Sequence, residues 1–98
     1  MSTVITLRIH HPVSDFDRWK VVFDADPADR RGSGVRRYTV RRQVTDPNFV
    51  MIDLEFDTVR EAELLLGKMR RIWAGTGGGV VSDPEAWIVV DVEVVVLE

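Results

Sequence analysis

Residues 7–24, LRIHHPVSDFDRWKVVFD, decide how this chain folds. From residue 3 to residue 11 the chain alternates, with Ile5, Leu7 and Ile9 on one side and Thr6, Arg8 and His10 on the other. That period of two predicts a strand with one apolar face. Pro12 then ends the ladder, because it has no N–H to donate. Ser14 is the expected N-cap, with Asp17 three residues on, and Phe16, Trp19, Val22 and Phe23 recur at helical spacing. The helix stops at Asp26–Pro27, since a residue before proline is pushed out of the α region. A strand, a stop and a capped amphipathic helix thus follow within twenty residues.

Working outward, PADRRGSG (27–34) reads as a loop or short helical turn, and a second strand is expected over 35–44. Thr45–Asp46–Pro47–Asn48 turns the chain into a third strand over 49–56, so the two make a hairpin. Thr58 followed by Glu61 is a capping box. The helix behind it gathers Ala62, Leu65, Leu66, Met69, Ile72 and Trp73 on one stripe, and Gly67 lies off it. AGTGGGVVSDP (74–84) is a loop, and residues 86–97 read as a long, valine-rich fourth strand. The order βαββαβ predicts an α+β, ferredoxin-like domain over residues 1–98. Its four-stranded antiparallel sheet would carry both helices on one face. Right-handed crossovers place strands 1 and 3 in the centre and strands 4 and 2 at the edges.

Composition narrows the function classes. Ninety-eight residues, 45% hydrophobic and 30% charged, fit one small globular domain, for which pairing with a second copy adds buried surface. A formal charge of −3 argues against general affinity for nucleic acid or anionic membrane. Without cysteine there is no disulfide framework, thiolate nucleophile or zinc ribbon, and a reducing cytoplasm is the expected setting. The N-terminus, MSTVITLRIHH, lacks a basic region followed by a continuous apolar core, so no signal peptide is expected there. No apolar run is long enough to span a bilayer.

The sheet face away from the helices should be polar but internally paired. It would receive Arg8 and His10, then Met51, Asp53 and Glu55, then Arg37, Thr39 and Arg41, and finally Trp87, Val89, Asp91 and Glu93. Neighbouring strands there carry opposite signs, worth about 0.2–1 kcal/mol per pair. The same topology serves RNA recognition, but that use needs stacking aromatics on the third strand. Carboxylates stand there instead, so RNA binding is excluded. The helix-covered face would take Val90 and Val92 with the other apolar strand residues. At the fourth strand's end, Val94, Val95, Val96 and Leu97 are apolar on both sides, and such a strand must be buried on both sides or risk aggregation. A homodimer through the open sheet face and strand 4 is therefore expected.

The segments HHPVSDFDRWKVVFD (10–24), GVRRYTVRR (34–42), DPNFVMIDLEFDTVREAELLL (46–66) and, from Trp73 onward, W…DP…IVVDVE resemble the antibiotic biosynthesis monooxygenase-like family. The resemblance covers nearly the whole chain and rests on fold signatures more than catalytic ones. It implies a dimeric α/β barrel, in which two sheets face each other and each subunit has a cavity between sheet and helices. Members oxygenate polycyclic phenols or quinols without metal or cofactor, resemble cyclases, or degrade haem. The haem-degrading branch carries its iron-ligating histidine on the second helix. Thr58–Trp73 holds no histidine here, so no cofactor is expected.

Consecutive strand residues leave opposite faces, so His10 and His11 cannot chelate one metal together, and no metal site is expected. His10 should meet Glu93 or Glu55 on the open face. His11 would look into the helix–sheet cavity, where a histidine can act as general base on an acidic phenol. Tyr38 would orient a ligand hydroxyl or cap the core at its rim. Trp19, Phe23 and Trp73 would either line a pocket for a flat aromatic ligand or simply fill the core. The catalytic candidates are thus His11 and Tyr38, the ligand-binding ones Trp19, Phe23 and Trp73. The glycine-rich loop from Gly75 to Gly79 is no phosphate loop, lacking a following lysine and helix start, and would gate the cavity. The competing reading is a non-catalytic dimer with a fully packed core.

Overall fold

The computed structural model describes residues 4–75 and 83–98. Alternation makes β1 (Ile5–Pro12), and its pattern continues one step past Ile9 so that His11 is buried with Leu7 and Ile9. Then come α1 (Phe16–Asp24), β2 (Arg37–Arg42), β3 (Phe49–Phe56), α2 (Val59–Ala74) and β4 (Glu85–Val90). The strands pair antiparallel in the order β2-β3-β1-β4, the ferredoxin-like arrangement with β1 and β3 central. Along β3 the side chains alternate strictly, with Val50, Ile52, Leu54 and Phe56 buried. They meet Trp19 and Phe23 of α1 and Ala62, Leu65 and Leu66 of α2 in one core.

Several boundaries differ from the sequence reading: β1 runs through Pro12, which pairs with Phe49, β2 spans Arg37–Arg42 instead of 35–44, and two further differences have a traceable cause. The N-cap of α1 is Asp15, one residue past Ser14, and its Oδ1 accepts from the Arg18 N–H at 3.0 Å. Both residue types cap well; what selects Asp15 is the hairpin turn, where Asn48 Oδ1 accepts from the Phe16 N–H at 3.0 Å. Asn48 also accepts from the Val13 N–H through its carbonyl, so this one turn residue fixes where α1 starts. The second boundary is β4, which ends at Val90 instead of continuing to Leu97. Val90 faces Ile5, the first paired residue of β1, so beyond it the strand has no neighbour among the described residues. Hydrophobicity marks a segment for burial, but a ladder also needs a partner. Val92 is accordingly 96% exposed, and Val90 is only half covered, so neither joins the core as expected.

The open face carries the expected ion pairs. Arg8 grips Asp53 with two hydrogen bonds of 2.9 and 3.0 Å, and Arg41 reaches the same carboxylate at 3.2 Å from the other side. These arginines, Arg8 first, hold the Asp53 carboxyl below its ordinary pKa against the opposing effect of burial. Arg37 pairs with Glu55 at 3.3 Å. Asp53 and Glu55 are structural counter-ions between strands.

Candidate functional site

Trp19 and Phe23 are four residues apart on α1, so they share one face, and their rings stack with centroids 5.0 Å apart. Phe16 adds a third ring 5.8 Å from Trp19. Below them His11 rises from the end of β1 with its ring edge-on to Trp19 at 5.9 Å and to Trp73, from the last turn of α2, at 6.3 Å. At the other end Phe23 meets the ring of Tyr38 at 5.6 Å. An aromatic row therefore runs His11–Trp19–Phe23–Tyr38 beneath the first helix.

Trp19, Phe23 and Trp73, with Leu65, Met69 and Ile72, wall an almost wholly apolar cleft. His11 and Tyr38 flank the row rather than line the cleft. The register sets them far apart. Tyr38 lies opposite Leu54, which lies opposite Leu7, so His11 is two strands and four residues away, about 16 Å between Cα atoms. No single reacting atom can touch both. The cleft's volume is about 50 Å³, against roughly 300–1,000 Å³ for cavities that hold drug-sized ligands. A flat aromatic molecule would have to part α1 from α2 to enter.

One group at this cleft escaped the sequence reading. Arg30, in the segment expected to be a loop, lays its guanidinium 4.0 Å above the Phe23 ring and 4.8 Å from that of Tyr38. Its Nη1 donates to the Phe23 carbonyl at 2.7 Å and lies 3.5 Å from Asp26 Oδ1, leaving the side chain only 14% exposed. The loop reaches this position through Asp26 and Asp29, both at positive φ. Aspartate tolerates that region because its short carboxylate can bond locally: Asp26 Oδ1 takes the Arg30 N–H and Asp29 Oδ1 the Gly32 N–H. A guanidinium so placed is the one charge lining the apolar cleft among the described residues. A weak sign was available, an aspartate followed at once by proline and four residues later by arginine.

His11 is 1% exposed, and its Nδ1 is 3.2 Å from the Pro12 carbonyl oxygen. A carbonyl only accepts, so Nδ1 carries the proton of the neutral ring and Nε2 is the basic atom. Burial pushes the imidazole below its ordinary pKa; the Pro12 carbonyl opposes this and nearby His10 adds to it. Charging His11 is thus harder in the folded chain than in the unfolded one. Its stabilising contribution is complete above the unfolded value of about 6.5 and is lost as pH falls through the lower folded value. Within that window stability should drop by up to about 1.4 kcal/mol per pH unit. Urea melts of the wild type from pH 7.5 to 5 should show the slope, and His11→Gln should flatten it. An equal slope in both proteins would place the titration elsewhere.

His10 lies on the opposite face, 5.1 Å from the Trp87 ring and 6.3 Å from Phe49, and its cross-strand partners are Glu85 and Met51 rather than Glu93 or Glu55. The β1–β3 register sets Glu55 opposite Thr6 instead, and β4 ends at Val90, before Glu93. Among the described residues no three potential metal ligands come together. Residues 76–79, expected to gate the cavity with Gly75, lie outside the described residues. No described helix is long and apolar enough to cross a membrane.

No protein-family model matches the sequence, and no curated protein does. Solved structures do match. SnoaB, a cofactor-independent oxygenase from Streptomyces nogalater, superposes with a TM-score of 0.74 at 15% identity, covering 94% of this chain and 96% of its own. A Nitrosomonas europaea protein provisionally described as an antibiotic biosynthesis monooxygenase gives a TM-score of 0.73 at 10% identity, covering 94% and 93%. A dimeric ferredoxin-like protein from an uncultured marine organism gives 0.66 at 7% identity, covering 98% and 94%. At these identities the likeness is one of architecture: the chain has the fold of the antibiotic biosynthesis monooxygenase-like proteins.

Proposed function

We propose that this chain forms a homodimer whose subunits each bind a flat aromatic molecule between helices and sheet and oxygenate it without a cofactor. The observation that carries the reading is the convergence of Trp19, Phe23 and Trp73 on one apolar cleft, with a largely covered guanidinium as the single charge in its wall among the described residues. The shared fold with a cofactor-independent oxygenase supports it. The three rings would sandwich the ligand, and Arg30 would offset negative charge delocalised onto the end of the anion remote from His11.

The chemistry requires the substrate to supply the electrons. A phenol conjugated to a CH2 group loses its phenolic proton to His11 Nε2, and the resulting anion transfers electrons to dioxygen. A C–O–O–H bond forms at that carbon; the O–O bond then breaks, water leaves and a carbonyl remains. In sum CH2 and O2 become C=O and H2O, four electrons passing from carbon to oxygen. The protein positions the substrate and moves a proton, which general base catalysis makes about 10²–10⁴-fold faster. Tyr38, about 16 Å from His11 by register, can orient a hydroxyl only at the Arg30 end of an extended ligand.

Oxygen consumption with a panel of polycyclic hydroquinones and phenols tests the reading, with tryptophan fluorescence of the same mixtures, in a Trp87→Phe background, reporting on Trp19 and Trp73. Uptake above buffer and quenching are expected, and His11→Ala should lower the rate by about 10²-fold or more. Equal rates would remove His11 from the mechanism. Unchanged fluorescence across the panel would leave the three aromatics as a packed core and the chain as a non-catalytic dimer.

A further inference from the structure

The loop after α1 sends its two consecutive arginines to different places. Arg30 turns inward over Phe23, while Arg31 borders a second cleft between the loop and the outer side of α2. This cleft is the larger of the two, about 430 Å³, and its polar lining is Arg31, Ser33, Glu61, Lys68 and Arg71. Lys68 and Arg71 are three residues apart on a helix and so project to the same side. Lys68 Nζ donates to Ser33 Oγ at 2.7 Å, and that hydroxyl donates to the Ala28 carbonyl at 2.9 Å, so the ammonium is held at the cleft.

None of the three cations forms an ion pair among the described residues, although Arg8, Lys20, Arg30, Arg36, Arg37 and Arg41 all do. The single carboxylate in the lining, Glu61, is engaged at the helix cap, where its Oε1 accepts from the Thr58 hydroxyl at 2.9 Å. Its other oxygen faces Gly34, where an added Cβ would collide with Oε2. Gly34 also has φ +99°, so the loop needs glycine there to close down on α2. Glu61 keeps its negative charge and offsets one of the three cations, so the lining retains an excess of positive charge that an anion in this concave, polar space would balance. A phosphate group, with close to two negative charges and three strong acceptor oxygens, matches three cations better than a single carboxylate does.

We propose that the cleft between the 29–35 loop and α2 is a second binding site, independent of the aromatic cleft, that takes a phosphate-bearing small molecule on Arg31, Lys68 and Arg71. Calorimetric titration of the wild-type protein with pyrophosphate and with a nucleoside diphosphate, at matched ionic strength, should show saturable binding at one site per chain. Lys68→Ala and Arg71→Ala, both exchanges to a strong helix former, should each weaken it by about tenfold or more. Arg70→Ala removes the same charge from the same helix outside the cleft and should leave binding unchanged. Tighter binding of the diphosphate than of pyrophosphate would mean that the cleft also reads the organic part; equal binding would mean that it reads phosphate alone. Absence of saturable binding to the wild type overturns the site. So does an equal effect of all three substitutions, which would signify diffuse electrostatics.

Discussion

Replacing Trp19 by alanine should cost about 3–5 kcal/mol of folding stability, the range for deleting a large buried aromatic. A domain of this size has roughly 5–15 kcal/mol in total, so the loss is at least about a fifth of it and the variant should unfold at a clearly lower denaturant concentration than the wild type. The size of the effect follows from position. Trp19 is 4% exposed and touches Phe16, Phe23 and His11 at once, so its removal opens a cavity that no single neighbour can fill. Trp19→Phe keeps a ring on the same face of α1 and should lose only part of that amount. A second readout separates packing from hydration of the site. With the indole gone, water reaches His11, burial no longer depresses its pKa as strongly, and the acid slope of stability should flatten in Trp19→Ala. A melt within error of the wild type would mean that α1 is not seated on the sheet through this residue.

How much of this was legible in the sequence depended on whether one period or one residue type carried the information. β3 needed nothing but alternation, and all four of its inward residues are buried. His11 was readable for the same reason: it is two steps past Ile9 and faces where Ile9 faces. The cap of α1 was off by one, because serine and aspartate are both good caps and a side chain from the distant β2–β3 turn makes the choice. The end of β4 depended on where β1 begins, a property of the partner strand. Site geometry was least legible. Trp19 and Phe23 on one helix face follow from spacing, whereas Arg30 arrives only because two aspartates adopt positive φ. Arg31 stands far from Lys68 and Arg71 in the sequence, yet all three border one cleft, since the loop and α2 lie side by side.

The double variant Val94→Lys/Val96→Lys should turn a dimer into a monomer. Residues 91–98 lie past the end of β4 without regular secondary structure, and Val94, Val95, Val96 and Leu97 are all exposed, Leu97 by 90%. An exposed run of this kind next to an unpaired strand edge invites association, so a folded, non-aggregating chain needs something to cover it. A second copy is the economical cover, because a two-fold axis buries both tails with one surface. Each buried valine contributes about 1.5 kcal/mol at the low end, and symmetry counts every substitution twice. Four lost valine burials amount to about 6 kcal/mol, roughly four orders of magnitude in the dissociation constant. Sedimentation velocity at micromolar concentration should therefore show a dimer for the wild type and a monomer for the variant. The folded monomer itself should survive, since neither valine touches the core. Arg8→Ala, which breaks the paired charges on the open face, should weaken the dimer far less if the tail dominates and comparably if the sheet faces carry the contact. A wild type that sediments only as a monomer would contradict the homodimer and leave the exposed valines without a partner.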